Sequence, residues 1–530
     1  MSNNDQFVAQ INDFQDGDMK EITVGENKIL VSKIDGKFYA TGASCTHYGA
    51  PLATGVLKNH NVVCPWHHAA FDLTTGKNVD PPALDALNTF DVHVNGNDVV
   101  VEIPEEFSGR TSAKMSSYNP DKDDRTFVIL GAGAAGEAAA ETLRQEGFEG
   151  RILMITREKR LPYDRPNLSK DYLSGNAPDE WMPLRSNKFF EKNDIELVQG
   201  KEVTEVDVHS KELLYSDGKK VHYDRLLLAT GGRARTLDVP GADLQNVHVL
   251  RTFDDADAIL KSVKSAKRAV VVGASFIGLE TAASLTKQGL SVTVVAPESV
   301  PFEHVFGTEI GKWIQSVHEE NKVTFHLGET VEKFEGDGSV KKVVLKSGNS
   351  IETDLVLIGI GVEPLTDYLK DFDLNKDQSI DVNSHLKAAD HVYAAGDIAR
   401  YPDFRTGEKI RVEHWRLAQQ HGRIAAHNML DHNVPFRRIP FFWTEQFNAH
   451  LLYVGYVKNW DDLIIDGIVN SGDFMAYFMK DGKIRAAATP NREKEIAAIQ
   501  ELMQFEIMPS PVEIRSSEVN ILSELSHAKV

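Results

Sequence analysis

The chain has 530 residues and a formal net charge of −20. That length suits about three or four domains of ~150 residues, and the acidic balance argues against binding nucleic-acid phosphates, which depends on Lys and Arg. No apolar run reaches the ~20 residues of a transmembrane segment, and the N-terminus has neither the apolar core of a secretion signal nor the arginines of a transit peptide, so a cytoplasmic protein is expected.

From about residue 20 to 104 the chain reads as short strands with hairpin punctuation. KILVSKI and KFYAT flank Asp35-Gly36, and TFDVHV and DVVVEI flank Asn95-Gly96-Asn97. Such residues tolerate positive φ and mark hairpins. This small β domain, residues 1–106, holds the only two cysteines, in Cys45-Thr46-His47 and Cys64-Pro65-Trp66-His67. One thiolate and one imidazole per segment is the division a Rieske [2Fe–2S] cluster needs, with two sulfurs on one iron and two histidines on the other. Cys45, His47, Cys64 and His67 are therefore the expected ligands. Tetrahedral zinc is the rival reading, although zinc spacings usually pair Cys with Cys and His with His. His68 is expected to point away from the cluster, and His60 and His93 to lie at the surface. Pro81-Pro82 reads either as a rigid cover over the cluster or as a plain loop.

Residues 107–124, FSGRTSAKMSSYNPDKDD, are nearly devoid of apolar side chains. They read as a linker, a flexible coil of about 20–25 Å that would let the β domain swing towards its electron donor.

At 125 the pattern changes. A buried-strand run, Arg125 to Leu130, leads into Gly131-Ala132-Gly133-Ala134-Ala135-Gly136, an Ala-rich helix and a second strand, Arg151 to Thr156. Glycines between strand and helix allow the tight turn and the close approach of a pyrophosphate, which rests on the helix N-terminus. Glu158 is the candidate acid for the ribose, with Arg157 beside it. The unit recurs as Ala269 to Val272, Gly273-Ala274-Ser275-Phe276-Ile277-Gly278, a helix and the strand SVTVVA. Two such units imply two dinucleotide sites. Ser275 replaces the middle glycine and can hydrogen-bond a phosphate. No acid ends the second strand, so Glu298 is the candidate there, and no Arg offers a 2′-phosphate clamp, so NADH is expected over NADPH. Strands ending at Thr230-Gly231, at Gly361 and at Gly396-Asp397 close the two units. A carboxylate at Asp397 falls at the carboxyl end of a parallel sheet, where ligands bind.

From 126 to about 450 the chain resembles the two-dinucleotide flavoproteins of the pyridine nucleotide–disulfide oxidoreductase superfamily. Pro162-Tyr163-Asp164-Arg165-Pro166-Asn167-Leu168-Ser169-Lys170 resembles the oxygenase-coupled ferredoxin reductases and the apoptosis-inducing-factor family, and the Rieske segment in front makes the Rieske-bearing branch the best match. The resemblance implies a multidomain α/β plus β architecture: the Rieske domain, an FAD domain (125–250 and 366–440), an NAD(P) domain (251–365) and a C-terminal α+β domain (441–530). It implies that Gly131, Gly133, Ala135, Gly136, Glu158, Arg165, Thr230, Gly231 and Asp397 hold FAD. Gly273, Ser275, Gly278, Glu280, Glu298 and Gly361 would hold the nicotinamide cofactor. Lys170 would sit by the flavin N5, paired with Glu280. Trp443 would lie near the flavin, and Glu413-His414-Trp415 would line the nicotinamide side.

No cysteine follows residue 64, so thiol–disulfide chemistry beside a flavin is excluded. The expected function is an NAD(P)H-dependent oxidoreductase passing electrons through FAD to the Rieske cluster and on to an unknown acceptor, a redox protein or an oxygenase. Two alternatives stand beside it: an apoptosis-inducing-factor-like signalling protein with secondary redox activity, and the reductase component of an external oxygenase. No Ser hydroxyl follows His67, so few hydrogen bonds to cluster sulfur are expected, and a potential in the lower part of the Rieske range of about −150 to +300 mV. The C-terminal stretch should pack on the flavoprotein core, with the last ~20 residues loosely attached.

Overall fold

The computed structural model describes residues 5–104, 107–370, 372–516 and 519–527. The N-terminal part is wholly antiparallel. One sheet joins Met19–Val24, Asn27–Ile34, Lys37–Gly42 and Thr89–Phe90, and another joins Asp5–Gln10, Asp98–Glu102 and Val92–Asn95. The expected turn forms at Asp35-Gly36, both residues at positive φ (51° and 74°), which matches the twist of the flanking strands. A third sheet, Val56–Lys58, Asn61–Val63, Ala70–Asp72 and Asn78–Asp80, carries the cysteine loops.

Two parallel sheets follow. The first has the order Ile195–Val198, Arg151–Ile155, Thr126–Leu130, Arg225–Leu228, Val392–Ala394, with Lys387–Ala389 antiparallel at the edge. The second has the order Val247–Val249, Leu355–Ile358, Arg268–Val272, Ser291–Ala296, Thr324–Leu327. Their strands are near-continuous Val, Ile and Leu because both faces are covered. Each sheet has an antiparallel three-stranded appendage, at Val203–His222 and at Val331–Glu352, so the internal repeat extends beyond the glycine motifs. Val247–Val249, just before residue 251, pairs in parallel with Leu355–Ile358 of the second sheet.

The C-terminal domain is a five-stranded antiparallel sheet, beginning with Phe441–Gln446, covered by the helix Glu493–Gln504. The described residues near the end of the chain pack on this domain. Ile514, Ile521 and Leu525 are buried in one apolar cluster with Ile496, Ile499 and Leu502 of that helix. Val56, Val63 and Ala70 of the cysteine-bearing sheet lie in the same cluster.

Residues 107–124 are likewise fastened rather than free. Thr111 pairs with Ala86, the Ser116 and Asn119 amides donate to the Arg144 and Glu149 carbonyls at 2.9 and 2.7 Å, and the Tyr118 amide donates to Asp194. A segment poor in apolar side chains still carries backbone donors, and one of these, at Ser116, finds a carbonyl in the last turn of a helix. With a shared apolar core beside it, the β domain is docked on the rest of the chain. No described helix is long and apolar enough to cross a membrane.

Candidate active site and cluster centre

The two cysteine loops have one backbone design. The Cys45 amide donates to the Ala50 carbonyl and the Cys64 amide to Ala69, both at 2.8 Å; the Gly49 amide returns to Cys45 and the His68 amide to Cys64. The closing residue of each loop, Gly49 or His68, has positive φ. The loops bring the four expected ligands together. His47 Nδ1 lies 3.2 Å from His67 Nδ1, and the two thiols are hydrogen-bonded to each other. Burial holds His47 down to about 4 and His67 well below its usual value, so both rings keep neutral lone pairs for metal. Cys64 is the more acidic thiol, lowered by the Cys45 hydrogen bond and by the Trp66 and His67 amides. Cys45 is pushed up by Cys64 and by burial, against the amides of His47 and Tyr48.

Sulfur sits by sulfur and nitrogen by nitrogen. Yet the one trio of His, Cys, Asp or Glu donors within 4.8 Å of one another among the described residues lies elsewhere, at Glu146, His427 and His432. No three cluster donors converge as a single tetrahedral zinc requires. Two donor pairs set apart fit a two-iron cluster. The hydroxyls in the loops are spent on other partners: Thr46 donates to the Asp85 carbonyl at 2.8 Å and Tyr48 to Asp164. His68 turns away as expected. Its ring stacks on Phe441 at 3.9 Å between centroids, and Nδ1 donates to Gln500 at 2.8 Å. His60 and His93 are at the surface, each facing a carboxylate. Pro81-Pro82 is buried against the flavoprotein side, where the Pro81 carbonyl accepts from Arg416 at 2.8 Å.

A cavity of about 950 Å³ runs between the two parallel-sheet domains and the strand Phe441–Gln446. Gly131, Gly133, Ala135, Glu158, Arg165, Lys170, Thr230, Gly231, Ser275, Glu280, Gly361, Asp397 and Trp443 line it, with Glu413, His414 and Trp415. Gly133 is open where a side chain would point, whereas a Cβ at Gly136 would meet the Gly131 carbonyl at 1.9 Å. The first glycine therefore leaves room for a phosphate and the second lets helix meet strand. The second motif repeats this: a Cβ at Gly278 would strike the Gly273 carbonyl at 2.1 Å, while Ser275 begins its helix with a side chain making no capping bond. Gly136, Gly273, Gly278 and Glu298 do not line the cavity. Glu298 sits in the turn after its strand, where its carbonyl accepts from Gly328.

Side-chain pairing along the cavity wall and behind it is dense. Lys170 Nζ lies 2.8 Å from Glu280 Oε2, which also accepts from Ser169 Oγ at 2.5 Å, while Thr444 Oγ1 donates to Oε1 at 2.7 Å. Gln446 donates to Thr444, and His318 Nε2 donates to Gln446, both at 2.8 Å. Every donor in this chain points towards one buried carboxylate. Asp397 Oδ2 takes a bond from Arg251 at 2.6 Å. Glu158 accepts from Arg165 at 2.8 Å and from Tyr163 at 2.7 Å; burial pushes its carboxyl up, but Arg165 and Tyr163 bring it below its usual value. Arg251, Ser169 and Thr444 were not singled out from sequence; an isolated Arg at a strand end and two small hydroxyls carry no pattern.

The centre and the cavity meet. The His67 and Trp443 rings lie 4.4 Å apart, and Tyr48 docks on Asp164 and Asn167 of the 162–170 segment. Arg416, 1% exposed, ties the junction, donating to Asp80, the Pro81 and His68 carbonyls and Gln500.

Residues 4–91 match the Rieske [2Fe-2S] domain, 125–422 the pyridine nucleotide-disulphide oxidoreductase domain and 441–523 the reductase C-terminal domain. Apoptosis-inducing factor 3 of Homo sapiens is 36% identical over 525 residues, covering 97% of this chain and 85% of that one. Rhodocoxin reductase of Rhodococcus erythropolis is 32% identical, covering 76% and 95%. The covalent putidaredoxin reductase–putidaredoxin complex is similar in structure, with a TM-score of 0.72 and 30% identity over 77% of this chain and 99% of that one. The chain belongs to the pyridine nucleotide-disulphide oxidoreductase family, as an FAD- and nicotinamide-dependent oxidoreductase that carries its own Rieske [2Fe-2S] domain.

Proposed function

We propose that this enzyme oxidises a reduced nicotinamide and sends the electrons internally, from the flavin edge to its own iron–sulfur centre, before an external acceptor receives them. When bound, FAD supplies the exchange between hydride and single electrons, and the cluster carries one electron at a time. The observation that carries this reading is the packing of His67 on Trp443, a cavity-lining indole.

The chain's own residues divide the remaining work. Gly131, Gly133 and the N-terminus of the helix Ala134–Gln145 would receive the FAD pyrophosphate, with Glu158 and Arg165 at the adenosine end and Asp397, held by Arg251, at the ribityl end. Lys170, fixed by Glu280, would place its ammonium near the reacting ring, where positive charge favours the reduced flavin. Ser275 and Gly361 would face the nicotinamide cofactor, and Glu298 would distinguish NADH from NADPH. His414, held down to about 4 by burial, stays neutral at the nicotinamide side. The reductases among the relatives serve separate redox proteins; here the docked Rieske domain would be the first acceptor, in a cytoplasmic setting, with a second redox protein beyond it.

Anaerobic stopped-flow mixing with NADH tests this. Flavin bleaching should come first and cluster bleaching second, at a rate that does not change with protein concentration. A cluster that stays oxidised through turnover, or one reduced only by encounters between molecules, would overturn the proposal.

A further inference from the structure

We propose a metal site outside the redox machinery, where Glu146, His427 and His432 bind one divalent transition-metal ion of the zinc class. None of the three lines the cavity. His427 Nδ1 lies 3.2 Å from His432 Nδ1 and 3.9 Å from Glu146 Oε2, and the three donors fall within 4.8 Å of one another. Two imidazole nitrogens bound to one zinc at about 2.0–2.1 Å with tetrahedral angles sit roughly 3.3 Å apart. The histidine pair is therefore already spaced for the ion, and relative to His427 the carboxylate needs to close in by only roughly half an ångström.

The backbone builds this spacing. His427 is in the last turn of the helix Trp415–Met429. Asp431, at φ 62°, turns the chain back, and the His432 amide donates to the His427 carbonyl at 3.0 Å. Glu146 is the C-cap of the helix Ala134–Gln145. Two helix C-termini thus converge on the trio, and their partial negative charge favours a cation. Lys77 Nζ lies 3.9 Å from Glu146 Oε1, and Arg423 also acts on His427. These two cations oppose the ion, and Lys77, which belongs to the Rieske domain, shows that the site lies at the seam between that domain and the flavoprotein. Imidazole and carboxylate donors suit zinc rather than magnesium or calcium. Half-buried Glu146 and His427 with exposed His432 leave the fourth position to water.

The test uses holoprotein whose flavin and iron content have been assayed. After equilibration with zinc chloride and desalting, elemental analysis should find one zinc per chain, and the zinc absorption edge should report imidazole ligation. H432A, at an exposed position, and E146Q should each lose that equivalent while iron content stays unchanged. Equal zinc in wild type and both variants, or none in wild type, would overturn the site.

Discussion

His67 rests against Trp443 with ring centroids 4.4 Å apart and planes inclined at 53°. One residue along, His68 stacks on Phe441, two positions before the tryptophan. Residues two apart on a strand share a face, so the cluster loop lies along one face of Phe441–Gln446. The intervening Phe442, Thr444 and Gln446 serve the other, with Phe442 on His414 and Thr444 and Gln446 on the Glu280 network.

Trp443→Ala should uncouple the two halves. NADH should still reduce the flavin at close to the normal rate, while cluster reduction slows by about an order of magnitude, equivalent to ~1.4 kcal/mol of barrier. Single-turnover stopped flow reads both phases, and equal slowing of the two would contradict the assignment.

Glu280→Gln should leave the Lys170 ammonium, whose side chain is 13% exposed, without its counter-ion. A loss of about 3 kcal/mol is expected, with a shifted flavin midpoint potential. Thr444→Val removes one neutral donor and should cost about 1 kcal/mol. Denaturant midpoints on holoprotein check the ranking.

Arg416→Met removes a guanidinium that holds Asp80, two carbonyls and Gln500. Leaving Asp80 short of its partner should destabilise the docked state by about 3 kcal/mol or more. Arg416→Lys should not rescue it, because a single ammonium cannot copy the planar fork. Protease sensitivity of the 107–124 segment should rise in both variants.

The cluster potential should lie low in the range of about −150 to +300 mV. Each cysteine sulfur receives two backbone amides, but the Thr46 and Tyr48 hydroxyls donate to oxygen atoms instead. A redox titration by EPR that places the midpoint near the top of the range would refute this account of the loops.

Acid should weaken the fold. Burial holds His318 and His414 down to about 4 and His421 to about 3. Unfolded chains take up these protons near pH 6.5 while the folded protein does not, so stability present above that pH is lost as pH falls towards 4. Each histidine contributes about 1.4 kcal/mol of that loss by pH 5.5. A denaturation midpoint unchanged between pH 7.5 and 5.5 would contradict it.

The legible features were those chemistry forces into short segments. Two thiols and two imidazoles must sit on tight loops, and a pyrophosphate must meet glycine at a helix start, so Cys45 to His67 and Gly131 to Gly136 declared themselves. The Lys170–Glu280 pair was read by resemblance alone, since the two residues lie far apart in the chain and neither motif names its partner. What stayed hidden was long-range: Arg416 with Asp80, Tyr48 with Asp164, Val63 in a core with Phe441. Such contacts leave no periodic trace, and residues 107–124 looked free because backbone hydrogen bonds do not depend on side-chain type. The pairing of Val247–Val249 with Leu355–Ile358 was not legible either, because three residues carry too little pattern to reveal which sheet they join.

A late segment of the polypeptide closes on an early one. Leu525 is buried in the core that also holds Val56 and Val63, and its carbonyl accepts from Lys58. During translation the N-terminal β domain emerges first, yet part of its seat is made by a residue 467 positions beyond Lys58. The cysteine loops are therefore made well before the helix that completes their seat, and the seam can close only once that late segment has been synthesised.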